Sequence, residues 1–174
     1  AYAGAGDING DNIDDLILTF GKYPDQFNTG ITYINYGPIP KGNDYSVDDY
    51  PNQTKIMPGS IPSSIDAKLG QSIATYDINN DGYDELLLGG PGYYRMPLIR
   101  GSRTTEGNAF LFMGGPNLPE EMNPEEDSIS KFFGDNQNHI INRNYNISFG
   151  KAVNIIKMNT NKIYVAIADN ERSK

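Results

Sequence analysis

The acidic stretch AGAGDINGDNIDDLILTFG, residues 3–21, recurs as SIATYDINNDGYDELLLGG, residues 72–90. Asp7 falls opposite Asp77, Asn9 opposite Asn79, Asp11 opposite Asp81, Asp15 opposite Glu85 and Leu16 opposite Leu86, 70 residues apart. A repeat of this length constrains the chain more than any single motif does. Each copy is a structural unit that buries its apolar face against the next copy. A third copy, FGKAVNIIKMNTNKIYVAIAD at residues 149–169, begins with Phe149-Gly150 where the second has Leu69-Gly70. This third copy lacks the acidic loop.

The rest of each unit reads as strands. GITYINYGP (residues 30–38) corresponds to NAFLFMGGP (residues 108–116), both short apolar and aromatic runs closed by Gly and Pro. A fourth run precedes each new unit, QTKIMPGS before Leu69 and NHIINRNYNIS before Phe149. The units are therefore 1–68, 69–148 and 149–174. The first two have strand A before the acidic loop, B after it, then C and D; the third is the start of a unit, strands A and B without the acidic loop. Glycine (19) and proline (11) are abundant, which favours turns over long helices. The expected fold is all-β, with four antiparallel strands per unit as in a β-propeller blade. The acidic insert PEEMNPEEDSISKFFGDNQN, residues 119–138, reads as a solvated loop, with one helical turn expected within residues 123–133. Two and a half blades cannot close a ring of four or more, so the remaining blades are expected from the same longer chain.

The acidic loops carry the chemistry. Asp7, Asn9, Asp11 and Asp15 place oxygens at loop positions 1, 3, 5 and 9, and Asp77, Asn79, Asp81 and Glu85 do the same. Position 7, Ile13 or Tyr83, can offer only its backbone carbonyl. Alternate residues of a tight loop converge, and Ca²⁺ takes 6–8 hard oxygens in flexible geometry. Gly82, and Asn12 at the matching position, suit a left-handed backbone. With Asp14 and Asp84, the loops hold eight of the 22 acids, and such packing favours a neutralising cation. Two Ca²⁺ ions, one per loop, would bring the formal charge from −8 to −4. A metal-free Asx-rich turn is the alternative. An EF-hand is excluded, since loop position 12 is Leu18 or Leu88 inside a strand-like run rather than a glutamate. The third unit has Lys157, Asn159 and Asn161 at the corresponding places, and no metal is expected there.

A net charge of −8 argues against non-specific nucleic-acid binding and against anionic membrane surfaces. No run approaches the ~18 apolar residues of a membrane span. The absence of cysteine excludes disulfides, Cys-type zinc sites and thiol catalysis. The single histidine, His139, has no evident nucleophile partner. Sequons at Asn52 and Asn146 point toward a secretory route.

These residues resemble the FG-GAP repeats of integrin alpha subunits and related propellers. The family pattern is a Phe-Gly pair, a strand, a D-x-[DN]-x-D-G-x-x-D loop, and an apolar run ending in Gly-Ala-Pro. Here the pair is Leu69-Gly70 and Phe149-Gly150, and the closing triplet is Gly89-Gly90-Pro91; in the first copy it has drifted to Phe20-Gly21, with Pro24 beyond. The resemblance implies part of a seven-bladed propeller. It implies one calcium site from Asp7, Asn9, Asp11, the Ile13 carbonyl and Asp15. A second would use Asp77, Asn79, Asp81, the Tyr83 carbonyl and Glu85, the glutamate departing from the usual Asp. It also implies a protein or glycan ligand on the face opposite the calcium loops. There the long B–C loop of the second unit offers Tyr93, Tyr94, Arg95, Arg100 and Arg103, residue types enriched in binding hot spots.

The function expected is a non-catalytic, calcium-stabilised scaffold for adhesion or ligand binding, extracellular or in the secretory lumen. The alternatives are a structural component of a large surface or appendage assembly, and a propeller appended to a secreted hydrolase, as in glycosylphosphatidylinositol-specific phospholipase D. No catalytic constellation occurs within the chain.

Overall fold

The computed structural model describes residues 1–21, 29–42, 44, 46–59, 67–92, 107–134, 149–158 and 162–168. The first unit is an antiparallel meander of β1 (Tyr2–Gly6), β2 (Asp15–Phe20), β3 (Ile31–Asn35) and β4 (Gln53–Ile56). The second repeats it with β5 (Ser72–Tyr76), β6 (Glu85–Gly90), β7 (Asn108–Phe112) and β9 (Ser130–Phe133). A hairpin of β10 (Ala152–Met158) and β11 (Lys162–Ala168) starts the third.

Register follows the repeat. Gly6 pairs with Asp15 at the mouth of the first acidic loop, and Tyr76 pairs with Glu85 at the mouth of the second. Both loops are thus clamped at the same pair of positions, and residues 7–14 and 77–84 project from the same end of their sheets.

The sheets stack through their faces. Side chains alternate across a strand, so Leu86 and Leu88 of β6, with Phe110 and Phe112 of β7, face the first sheet. There they join Ile17, Ile34, Ile56, Ile8 and Leu69 in one core. Leu87, Ala109 and Leu111 point the other way and meet Ile155, with Val153, Ile163 and Val165 packed around them. The middle sheet is buried on both faces, which explains why β6 reads as a run of three leucines and not as an alternating strand. Each buried Leu contributes roughly 1.5–3 kcal/mol of transfer free energy.

The glycine of the Phe-Gly pair has a steric cause. Gly70 sits at φ +78°, and a Cβ on it would lie 2.6–2.7 Å from the side chains of Thr19 and Thr32 in the preceding sheet. The Thr19 hydroxyl donates to the Gly70 carbonyl at 2.6 Å. Gly150 repeats the arrangement against the second sheet, with a Cβ position 2.2 Å from the Asn108 carbonyl oxygen and Ser72 Oγ donating to its carbonyl at 2.8 Å. Each unit is keyed into the one before by a residue that has no side chain.

The segment 119–138 corrects the expectation of a solvated loop. It holds β8 (Glu121–Met122), the single helical turn α1 (Pro124–Asp127) and β9. β8 pairs in parallel with β4, so the second unit lends a fifth strand to the first sheet. Among the described residues β9 is the fourth strand of the second sheet, paired with β7, and Phe132 packs into the core that also takes Leu111. NHIINRNYNIS, residues 138–148, expected as a strand, lies outside the described residues. Residues 135–148, with His139 and Asn146, lie outside the described residues.

Candidate functional site

The two acidic loops adopt one hydrogen-bond pattern. In the first, Asp7 Oδ1 accepts from the Gly10 and Asp11 amides at 2.7 and 3.0 Å, and Asp7 Oδ2 accepts from Asn12 at 2.8 Å. Asn9 Oδ1 accepts from the Asp11 amide at 3.0 Å, and Asp11 Oδ1 from the Ile13 amide at 2.8 Å. In the second, Asp77 accepts from Asp81 and Gly82 at 3.1 and 3.0 Å, Asn79 from Asp81 at 2.9 Å, and Asp81 from Tyr83 at 3.0 Å. Asn9 and Asn79 also donate through Nδ2 to Asp11 and Asp81, at 3.1 and 2.8 Å.

Two residues per loop carry positive φ, and the glycine and asparagine trade places. Gly10 (75°) and Asn12 (65°) serve the first loop, Asn80 (60°) and Gly82 (91°) the second. These are the residues that visit the left-handed region at least cost. Sequence reasoning anticipated position 6 of each loop but missed position 4, where the Gly/Asn choice was the available signal.

The position-9 acids differ. Asp15 is 0% exposed and engaged at both oxygens: the Ile8 amide donates to Oδ2 and the Gly37 amide to Oδ1, each at 2.9 Å. Glu85 is 1% exposed, and its Oε2 accepts from the Ile78 amide of its own loop at 2.7 Å. Its Oε1 is buried with no hydrogen-bond partner. A buried carboxylate oxygen left unpaired is costly. Burial raises the pKa of both acids, with backbone amides opposing the rise and neighbouring acids adding to it.

The loops touch each other. Asp84 accepts from the Asp7 amide through Oδ2 at 3.1 Å and donates its own amide to the Asp7 carbonyl at 2.8 Å. The Gly115 amide donates to the Ile8 carbonyl at 2.8 Å. The Tyr83 ring covers Gly10, where a Cβ would lie 2.4 Å from a ring carbon. Burial also pushes the Asp84 carboxyl up, helped by Asp7 and Asp77. Asp84 occupies position 8, outside the ligand pattern, and nothing in a single loop marks it as a contact residue.

Among the described residues, no three His, Cys, Asp or Glu side chains stand together as a ready metal cage. The chemistry of the donor set nevertheless fits a hard cation: carboxylate and amide oxygens at positions 1, 3, 5 and 9, with Glu85 Oε1 buried and unpartnered. Position 7 would add the Ile13 or Tyr83 carbonyl. Lys157 of the third unit lies in β10, its ammonium 5.7 Å from the centroid of the Tyr76 ring; Asn159 and Asn161 lie outside the described residues.

The remaining expected residues divide. Asn52 is exposed in the turn before β4. It borders a cleft of about 330 Å³ between the first and second units, lined also by Tyr36, Tyr50, Lys55, Leu118 and Glu121, which sequence reasoning did not find. Tyr93, Tyr94, Arg95, Arg100 and Arg103 lie outside the described residues.

Stacked four-stranded antiparallel sheets with matching acidic loops define an all-β repeat protein. The family model of the FG-GAP repeat matches residues 69–112, from the Leu69-Gly70 pair through the second acidic loop to the end of β7. That stretch is similar to an FG-GAP repeat; FG-GAP repeats are β-propeller blades and typically extracellular. No curated protein matches the chain. Among the described residues no helix is long and apolar enough to cross a membrane.

Proposed function

We propose that this chain is part of a calcium-stabilised, extracellular or lumenal β-propeller that serves as a non-catalytic scaffold for adhesion or for binding a protein or glycan. The observation that carries the reading is the duplicated loop. Two nine-residue segments close the same way, and the buried Glu85 Oε1 in one of them lacks a partner. A Ca²⁺ ion in each loop would neutralise acids that otherwise repel, and would hold strands A and B of each blade at their shared turn. Asp7, Asn9, Asp11, the Ile13 carbonyl and Asp15 would hold one ion; Asp77, Asn79, Asp81, the Tyr83 carbonyl and Glu85 the other. The role is structural, since the acids are committed to turns. The ligand would dock on the face opposite the acidic loops. The exposed position of Asn52 suits a glycan acceptor.

The test is calorimetric. Titration with Ca²⁺ is expected to show two ions per chain. At tenfold excess over the dissociation constant each ion stabilises the fold by about 1.4 kcal/mol. For two ions that raises the melting temperature by about 6–12 °C at this size. An unchanged melting temperature after chelation, with no heat of binding, refutes the calcium reading.

A further inference from the structure

Resting on the calcium reading, we propose that the two loops bind Ca²⁺ as a coupled pair, the second loop filling first and its occupancy raising the affinity of the first. The order follows from the position-9 acids. Asp15 has both oxygens engaged by the amides of Ile8 and Gly37, at 2.9 Å each. Glu85 carries one more methylene and holds Oε1 buried and unpartnered while Oε2 keeps the head group within its own loop. The second loop therefore has an anionic oxygen that gains a partner when an ion enters. The first must give up a hydrogen bond or share it.

The coupling follows from Asp84. It stands between positions 7 and 9 of the second loop, so an ion held by the Tyr83 carbonyl and Glu85 immobilises it on both sides. Asp84 in turn grips both backbone groups of Asp7, accepting from its amide at 3.1 Å and donating to its carbonyl at 2.8 Å. Asp7 is position 1 of the first loop. The Tyr83 ring over Gly10 and the Gly115 amide on the Ile8 carbonyl brace the same stretch from the second unit. Ordering the second loop thus orders the start of the first before its own ion arrives, and the conformational entropy is lost once rather than twice. Binding linkage is reciprocal, so the first ion strengthens the second site by the same factor.

Isothermal titration of the whole chain with Ca²⁺ decides it, using Asp77→Ala to disable the second loop and Asp7→Ala to disable the first. The first loop in Asp77→Ala is expected to bind at least about fivefold more weakly than it does in the wild type once the second loop is full. Asp7→Ala is expected to retain the tighter of the two isolated sites. Asp84→Ala, outside both ligand sets, removes the carboxylate's bond to the Asp7 amide while keeping the backbone bond to the Asp7 carbonyl, and is expected to leave two ions bound and to weaken the coupling by at least about twofold. Asp84→Asn keeps an acceptor for the Asp7 amide, retains the coupling, and serves should the alanine variant fail to fold. Two ions bound independently in the wild type overturn the coupling while leaving the calcium reading intact, as does full coupling in Asp84→Ala. A tighter isolated site in Asp77→Ala than in Asp7→Ala overturns the order. Absence of any bound ion refutes the calcium reading itself and the coupling with it.

Discussion

Gly10 and Gly82 offer a matched pair of substitutions that isolates the contact between the loops. Both lie at positive φ, 75° and 91°, so an alanine at either pays the left-handed penalty of about 1–2 kcal/mol. Both also gain about 0.4–1 kcal/mol from the restricted unfolded chain. The surroundings differ. Around Gly82 nothing lies within 4 Å of the added Cβ, whereas at Gly10 the Cβ would lie 2.4 and 2.6 Å from two carbons of the Tyr83 ring. Gly82→Ala is therefore expected to cost between about 0 and 1.6 kcal/mol. Gly10→Ala is expected to cost a further 1–3 kcal/mol, roughly the cost of overpacking. At 174 residues the difference is about 2–12 °C in melting temperature, measured by circular dichroism with chelator present so that no metal intervenes. Tyr83→Ala closes the cycle: in that background the two glycine substitutions are expected to cost the same within about 0.5 kcal/mol. Equal penalties for the two substitutions in the wild-type background would show that Tyr83 does not hold the first loop, and the docking of loop on loop would fail with it.

The remaining predictions concern protons and the core. Asp15, Asp84 and Glu85 are raised by burial above ordinary values of 3.8 for Asp and 4.5 for Glu, so the folded state holds these protons more tightly than the unfolded chain does. Stability then falls as pH rises from the unfolded values through the folded ones. The melting temperature of metal-free protein is therefore expected to climb as pH drops through the raised folded values toward the ordinary carboxylate values, while saturating Ca²⁺ reverses the trend by demanding deprotonated ligands. A flat or falling profile without metal would contradict this. Leu87, 0% exposed between the second sheet and the third hairpin, is expected to cost about 2–5 kcal/mol as Leu87→Ala in chemical denaturation. Amide exchange should quicken in β10 and β11, and a cost under about 1 kcal/mol would mean the hairpin does not pack there.

Much of the fold was legible because the repeat compares the chain with itself. Aligning Asp7 with Asp77 fixes the loop, and the loop fixes which residues pair at its mouth, so β1, β2, β5 and β6 follow. The fourth strand of the second unit did not follow. NHIINRNYNIS directly precedes Phe149-Gly150, where the repeat expects a strand, yet the four-residue SKFF upstream of it is the segment that pairs with β7. A four-residue strand carries little signal of its own, and its neighbours decide it. β8 is less legible still. A two-residue parallel pairing has no period, and it arises because Lys55 and Met57 donate their amides to the carbonyls of Glu120 and Met122 across a unit boundary.

The candidate site divides along the same line. The odd positions of each loop announce themselves, since oxygens at 1, 3, 5 and 9 are a pattern internal to nine residues. Positions 7 and 8 do not, because their side chains serve the neighbouring unit. In the second loop Tyr83 and Asp84 are partly buried against Gly10 and Asp7. In the first loop the same positions, Ile13 and Asp14, are exposed, Ile13 at 41%. One loop thus carries two codes. The odd-position oxygens close the loop on its own backbone amides, and the two residues before position 9 address the adjacent loop. The second code is readable only after the sheets are stacked, because the same aspartate is a solvated charge in one copy and a two-point clamp on a neighbour's backbone in the other. Any ion that orders the loop from inside therefore also sets how firmly one unit holds the next.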